Sequence, residues 1–239
     1  MPDVSIRLDG PLVESRFVER PNRFLLRCAV PGEAEVKEVH LPDPGRLREL
    51  LLPDARIWIL PATAPGRRTR WTAALVESPD GDGVVSLRTT LPNALIRRAL
   101  EAGALEELQG WALERAEWTL GRSRIDFLLC RPGGRRMALE VKSVTLVEDG
   151  VARFPDAVTA RGARHVLELA ELAESGEMDA AILFVLQRHD AGAIEAARSI
   201  DPDFADALAR AREAGVRVLG RRCRVGLEEI VLGDPVPVR

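Results

Sequence analysis

The chain has 239 residues, 46% apolar and 30% charged, with a formal net charge of −3. This is the balance of a soluble globular protein with room for one large domain or two modest ones, and it excludes a protein coated all over with positive charge. It does not exclude a local basic groove of the kind that tracks a phosphate backbone.

No apolar run approaches membrane-spanning length, and the opening MPDVSIRLDG lacks a charged-then-apolar signal pattern, so a cytoplasmic protein is expected. Cys28, Cys130 and Cys223 are odd in number and widely spaced, which suggests reduced thiols rather than a disulfide framework or a zinc cluster.

The first 85 or so residues read as short strands with turn punctuation: LVESRFVER, RFLLRCAV, EVKEVHL, ARIWILPA, TRWTAALVES and GVVSLRTT. Between the third and fourth lies PDPGRLRELLLPD, where Pro44 and Gly45 are expected to open a short apolar-faced helix and Pro53 to close it. Successive strands with one helix inserted midway fit a small barrel of the oligonucleotide-binding (OB) type, the alternative being an unrelated small β-domain.

From about residue 91 the pattern changes. LPNALIRRALEAGAL predicts a helix, with Pro92 in its first turn and Gly103 at its end. WALERAEWTL, RIDFLLCR and RMALEVKSVTLV read as three strands joined by the tight turns GRS and PGG. A helix over ARGARHVLELAELAESG, a buried central strand DAAILFVLQ, a helix over DPDFADALARAREAG capped by Asp201, and two final strands complete the chain. The expected fold class is therefore mixed α/β: an OB-type β-barrel followed by a mixed central sheet flanked by helices.

The stretch that carries chemistry is RIDFLLCRPGGRRMALEVKSVT. Residues two apart in a strand share a face, so Glu140 and Lys142 project together while Val141 turns away. If the flanking segments pair as a hairpin, Asp126 lies near them. Two carboxylates brought together and partly desolvated need a compensating positive charge. A divalent cation, magnesium or manganese, suits them, because such ions take oxygen ligands from one or two carboxylates and several waters.

Asp126, Glu140 and Lys142 are thus the candidate catalytic set, with Asp126, Glu140 and Val141 at the metal and Lys142 stabilising charge on an attacked phosphate. The competing reading is an ordinary cross-strand ion pair on a solvated face. Of 34 basic residues only Lys37 and Lys142 are lysine, which singles out position 142.

The Asp…Glu-x-Lys arrangement resembles the PD-(D/E)-x-K phosphodiesterase superfamily, which includes restriction enzymes and Holliday junction resolvases. Here Ile125, not proline, precedes Asp126. The whole chain is similar to the sugar fermentation stimulation protein A family, through RPNRFL, HLPDPGRL, LPNALI, GRSRIDFLL, ALEVKSVTL, FPDAVTARGARH, ILFVLQR and IDPDFADAL, in that order. In HLPDPGRL, Asp43-Pro44 stands where many members carry Asn-Thr.

The resemblance implies an OB-like domain over residues 1–85, a nuclease-like domain over 86–239, and DNA binding without marked sequence preference. It places the protein at the nucleoid, and homodimerisation is left open. Two functions compete: a magnesium- or manganese-dependent DNA nuclease, and a DNA-binding or regulatory protein that keeps the nuclease-like fold without cutting.

Further candidates surround this set. Glu117 is a second acidic residue upstream of Asp126, or plain surface charge. Asp156 lies in a loop before Arg161 and His165, which share a helical face suited to phosphate, or it marks a simple Pro-Asp turn. Gln187 ends the buried strand. For nucleic acid the candidates are Arg20, Arg23 and Arg27; Arg67, Arg68 and Arg70 beside Trp71; and Arg122 and Arg124. Each of these clusters taken alone also reads as solvated, salt-bridged surface.

Overall fold

The structure, a computed structural model, describes residues 4–62, 66–121 and 123–239. After a short strand β1 (Ser5–Arg7), five strands curl round one apolar cluster: β2 (Val13–Asn22), β3 (Leu25–Ala29), β4 (Lys37–His40), β5 (Arg56–Pro61) and β6 (Trp71–Glu77). They pair in the order β4-β3-β2-β5-β6. A parallel contact of β4 with β6, Val39 to Trp71 and His40 to Thr72, closes the ring. Leu26, Cys28, Val39, Ile57, Ile59 and Val76 point inward and are buried. Closure removes the open edges that strands this short would otherwise expose. The expected OB barrel is present, and β7 (Val84–Ser86) extends it beside β6.

The helix expected after β4 does not form. Residues 42–54 fold as turns, with Leu47 in the left-handed region at φ 50° and the amides of Leu50 and Leu51 both donating to its carbonyl. Distant partners claim the backbone groups a helix would have used. Arg20 donates to the carbonyls of Gly45 and Arg46, each at 2.7 Å, and the Leu47 amide donates to Asp156 at 3.4 Å. Leu47 and Leu50 plug the barrel from this turn and are fully buried.

The second half begins with α1 (Leu91–Glu101), which carries Pro92 in its first turn. A meander follows: β8 (Ala112–Leu120), β9 (Ser123–Cys130) and β10 (Arg136–Val144). Gly133 and Gly134, both at positive φ, make the turn between the last two. Next come β11 (Val147–Glu148), β12 (Val151–Phe154), α2 (Ala160–Ser175), β13 (Asp179–Leu186), β14 (Ala193–Ala196), α3 (Pro202–Glu213), β15 (Arg217–Val225) and β16 (Glu229–Pro235).

The large sheet runs β1-β16-β15-β13-β10-β9-β8, with β10, β13 and β15 parallel. Parallel neighbours need crossovers, which α2 and α3 supply. Those two helices cover one face through Val166, Leu169, Phe204 and Leu208, and α1 covers the other through Leu95 and Ile96.

Two features depart from the expected arrangement. Residues 5–7, counted with the barrel from sequence, extend the large sheet instead by pairing Ser5 with Val231 and Arg7 with Glu229. A small sheet β11-β12-β14 also forms, from strands too short to leave a periodic signal. Cys28 and Cys223 are buried and Cys130 partly so, all three as free thiols. No helix among the described residues is long and apolar enough to cross a membrane.

The Leu47 plug gives a direct test of how the barrel is held. Leu47→Ala should cost about 2–5 kcal/mol, the range for truncating a fully buried leucine. A urea titration should show a lower midpoint with unchanged slope. A midpoint equal to wild type would mean that the turn, and not the side chain, holds the barrel.

Candidate active site

The hairpin register sets the centre of the site. Leu139 pairs with Phe127, and one residue further on Asp126 stands beside the end of the β9–β10 ladder. There the Val141 amide donates to Asp126 Oδ2 at 2.8 Å, and Asn93 Nδ2, from the first turn of α1, donates to Asp126 Oδ1 at 2.6 Å.

Glu140 Oε1 accepts from Lys142 Nζ at 2.7 Å and lies 2.9 Å from His165 Nδ1 of α2. Arg161 Nε donates to His165 Nε2 at 3.4 Å, so that nitrogen is the acceptor and Nδ1 carries the proton shared with Glu140. Glu140 Oε2 is buried with no hydrogen-bond partner.

Lys142 and Glu140 have side chains only 11% and 6% exposed, so the solvated cross-strand pair is not what forms. Burial, reinforced by the negative charge of Glu140, pushes the Asp126 carboxyl up to about 6. Burial works to raise Glu140 as well, but the hydrogen bond from His165 and the charge of Lys142 outweigh it and hold this carboxyl below its ordinary value. The pair is therefore short of positive charge on the Asp126 side. No group of three or more His, Cys, Asp or Glu among the described residues is arranged to hold a metal. Two carboxylates with a free oxygen lobe still offer the hard donors that a magnesium-type ion takes alongside water.

A cleft of about 600 Å³ opens beside the site, between barrel and sheet, lined by Val141, Lys142 and Arg161 on one side and by Arg23, Asp43 and Gly45 on the other. Asp156 stands in its wall and reaches across the seam to the Leu47 amide. Asp43, also at the seam, is buried and accepts from the Gly45 amide at 2.7 Å. Burial pushes its carboxyl up to about 6 against that hydrogen bond, and the charge of Asp156 adds to the rise.

The structure brings together Asp126, Glu140, Lys142, His165 and Arg161, with Asp156 and Arg23 across the cleft. Val141 enters through its amide on Asp126, and its side chain packs into the core. Gln187 approaches from β13's end, donating to Ser143 Oγ at 2.9 Å and keeping its buried Oε1 without a partner.

Glu117 lies elsewhere. It falls between Ala116 and Trp118, which pair with Phe127 and Ile125, but its backbone turns to φ 53° and its 68% exposed side chain lies 3.8 Å from Arg124. Arg20 ties down the 45–46 turn, and Arg27 pairs with Glu19 on the barrel surface. Arg67 and Arg68 line a groove on the barrel, and Arg70 a neighbouring hollow with Trp71. Arg122 lies outside the described residues.

Asn93 was missed by sequence reasoning. A polar residue after Pro92 in a helical first turn looks like an ordinary start signal, and only the packing of α1 on β9 gives it Asp126 as a partner.

With this geometry in place, comparison with known proteins gives a consistent answer. Residues 90–229 match the family described as "Sugar fermentation stimulation protein RE domain", and residues 18–87 match the "SfsA N-terminal OB domain". A sugar fermentation stimulation protein homolog of Shouchella clausii is 47% identical over 228 residues, 95% of this chain and 97% of that one. Its counterpart in Moorella thermoacetica is 41% identical over 235 residues, 98% of this chain and 99% of that one. Among solved structures, Pyrococcus furiosus SfsA in complex with Ca²⁺ superposes with a TM-score of 0.88 at 27% identity, covering 100% of both chains.

The seam carboxylate gives a pH signature. Asp43 titrates near 6 when folded against an ordinary 3.8, so between those values the folded protein holds the proton more tightly than the unfolded chain. Stability is then greatest below the lower value and falls as pH rises through the upper one. Asp43→Asn keeps an acceptor for the Gly45 amide and removes the charge. Its urea midpoint should exceed wild type above about pH 6 and lose that advantage near about pH 4. Parallel profiles for the two proteins would show that Asp43 is not held in this way.

Proposed function

The chain belongs to the sugar fermentation stimulation protein family, and on that premise we propose that it binds DNA without marked sequence preference. We further propose that Asp126, Glu140 and Lys142 form a magnesium- or manganese-dependent phosphodiesterase site in a nuclease-like domain. The observation that carries the reading is the pairing of buried Glu140 with half-buried Asp126, short of positive charge and flanked by a lysine at the mouth of a basic cleft. The Pyrococcus furiosus relative was solved with Ca²⁺, another hard cation that selects oxygen donors, which supports the assignment.

The donors present fit such an ion. Glu140 Oε2 is buried without a partner, and Asp126 keeps lone pairs beyond its two hydrogen bonds. When bound, the cation supplies Lewis acidity toward a phosphoryl oxygen and lowers the pKa of a coordinated water. The chain's own residues do the positioning. Asn93 and the Val141 amide fix the rotamer of Asp126, and His165 and Lys142 fix that of Glu140. The ammonium of Lys142 faces the cleft, where it meets charge that develops on phosphate during attack. Arg23 and Arg161 on the cleft walls suit the flanking phosphates.

Three measurements test this reading. Calorimetry with Mn²⁺ should show a site that Asp126→Ala or Glu140→Ala removes; equal binding by all three proteins sinks the metal assignment. Lys142→Ala should keep metal binding and DNA affinity close to wild type while cleavage drops about a hundredfold or more, and Lys142→Arg should rescue it poorly. If wild type binds DNA but cuts none with either metal, the fold serves binding alone. DNA affinity should fall steeply with salt for unrelated sequences, and a flat log–log slope would remove the phosphate-contact reading.

A further inference from the structure

The cleft beside Lys142 does not end at the seam. A smaller hollow of about 330 Å³ shares Arg23, Pro44, Gly45, Ala157 and Val158 with it. That hollow shares Asn22 with a groove of about 760 Å³ on the barrel, whose floor carries Phe24 and His40. Through these shared residues the three hollows adjoin one another in a row from the β2–β3 turn, across the seam, to the lysine.

Their walls differ from the rest of the molecule in charge. Nine arginines or lysines line the three hollows against three acidic residues, whereas the whole chain carries a net −3. The basic residues come from both halves: Arg67, Arg68 and Arg88 on the barrel groove, Arg46 and Arg23 at the seam, Arg161 by the site.

Two apolar side chains stand out along the row. Phe24 is 50% exposed although its backbone is fixed on both sides, its amide donating to Asn22 Oδ1 at 2.9 Å and its carbonyl accepting from the Leu41 amide at 2.9 Å. Val158, in the seam hollow, is 64% exposed. A rigid turn that holds an aromatic ring away from the core gains nothing for the barrel itself.

We infer that this row of hollows holds one unpaired strand of DNA, with a base stacked on Phe24, the backbone along the arginines, and a phosphate delivered to Lys142. The inference rests on the DNA reading above and names its substrate class. A concave basic wall suits the backbone of a duplex and of a single strand alike, so the exposed ring is what separates them. The ring of Phe24 has a stacking partner only if the base is unpaired, and base–aromatic stacking combined with a basic groove is how single strands are held without sequence preference. Val158 then separates neighbouring bases where the strand crosses the seam.

The test is fluorescence anisotropy in EDTA, so that nothing is cut, with an unstructured single-stranded oligonucleotide and a blunt duplex of the same sequence. The single strand should bind about tenfold or more tightly than the duplex, and its affinity should rise with length up to about 16 nucleotides and then level off. Phe24→Ala, at an exposed turn, should weaken single-strand binding about tenfold while duplex affinity and the melting temperature stay near wild type. A duplex bound as tightly as the single strand, or a single-strand affinity indifferent to Phe24→Ala, overturns the inference and leaves sequence-tolerant DNA binding standing. Failure to bind any DNA removes both.

Discussion

Two carboxylates side by side at the end of the β9–β10 hairpin, Glu140 buried and Asp126 half-buried, are the constraint around which the second half is arranged. Left alone, one of them would stay protonated, because burial and the charge of its neighbour both penalise a second anion there. Each neighbouring element supplies part of the remedy: α1 brings Asn93, β10 brings the Val141 amide and Lys142, and α2 brings His165. The partners are unequal. Glu140 receives a lysine and a histidine, while Asp126 receives only neutral donors and remains high, at about 6. That asymmetry defines where positive charge is still wanted.

The placement of α2, which brings His165 to Glu140, depends in turn on a chain of caps. Thr159 accepts from the Gly162 amide and opens α2, and its own amide donates to Asp201 Oδ2 at 2.7 Å. Asp201 meanwhile caps α3 by accepting from the Phe204 amide at 3.0 Å. One buried aspartate therefore sets the start of both crossover helices. The loop before Thr159 carries Asp156 to the 42–54 turn, so the barrel is docked by the same segment that opens α2.

Much of this was legible in the sequence, for reasons that differ from part to part. The barrel strands show because one face of each is apolar, and the Pro-Gly-Gly turn shows because two successive glycines adopt positive φ at no steric cost. Asp201 was readable as a cap because its partner is local, three residues on. The closeness of Asp126 to Glu140 and Lys142 was readable because residues two apart in a strand share a face and the flanking segments pair as a hairpin. The failures share a cause as well. PDPGRLRELLLPD has helical spacing, yet its backbone is held by Arg20 and Asp156, far away in sequence. Asn93 and the strand β1 likewise take their roles from partners that no local pattern announces.

The choice of lysine at position 142 has a physical reason once the other buried cations are set beside it. Where this chain buries arginine it surrounds the guanidinium with acceptors. Arg188 meets both oxygens of Asp190, the Thr145 carbonyl and Ser78 Oγ, and Arg221 meets both oxygens of Glu107 and the Gly233 carbonyl. Lys37, the other lysine, makes an ordinary i, i+4 pair with Glu33. At position 142 the side-chain acceptor is Glu140 Oε1. A guanidinium there would bring a wide, rigid fork that engages both oxygens of Glu140 and closes off the Oε2 that the ammonium leaves free. An ammonium spends one N–H on Glu140 and keeps two for the cleft. A nearly buried cation left with donors to spare beside a basic cleft is what the proposed phosphate-binding role calls for.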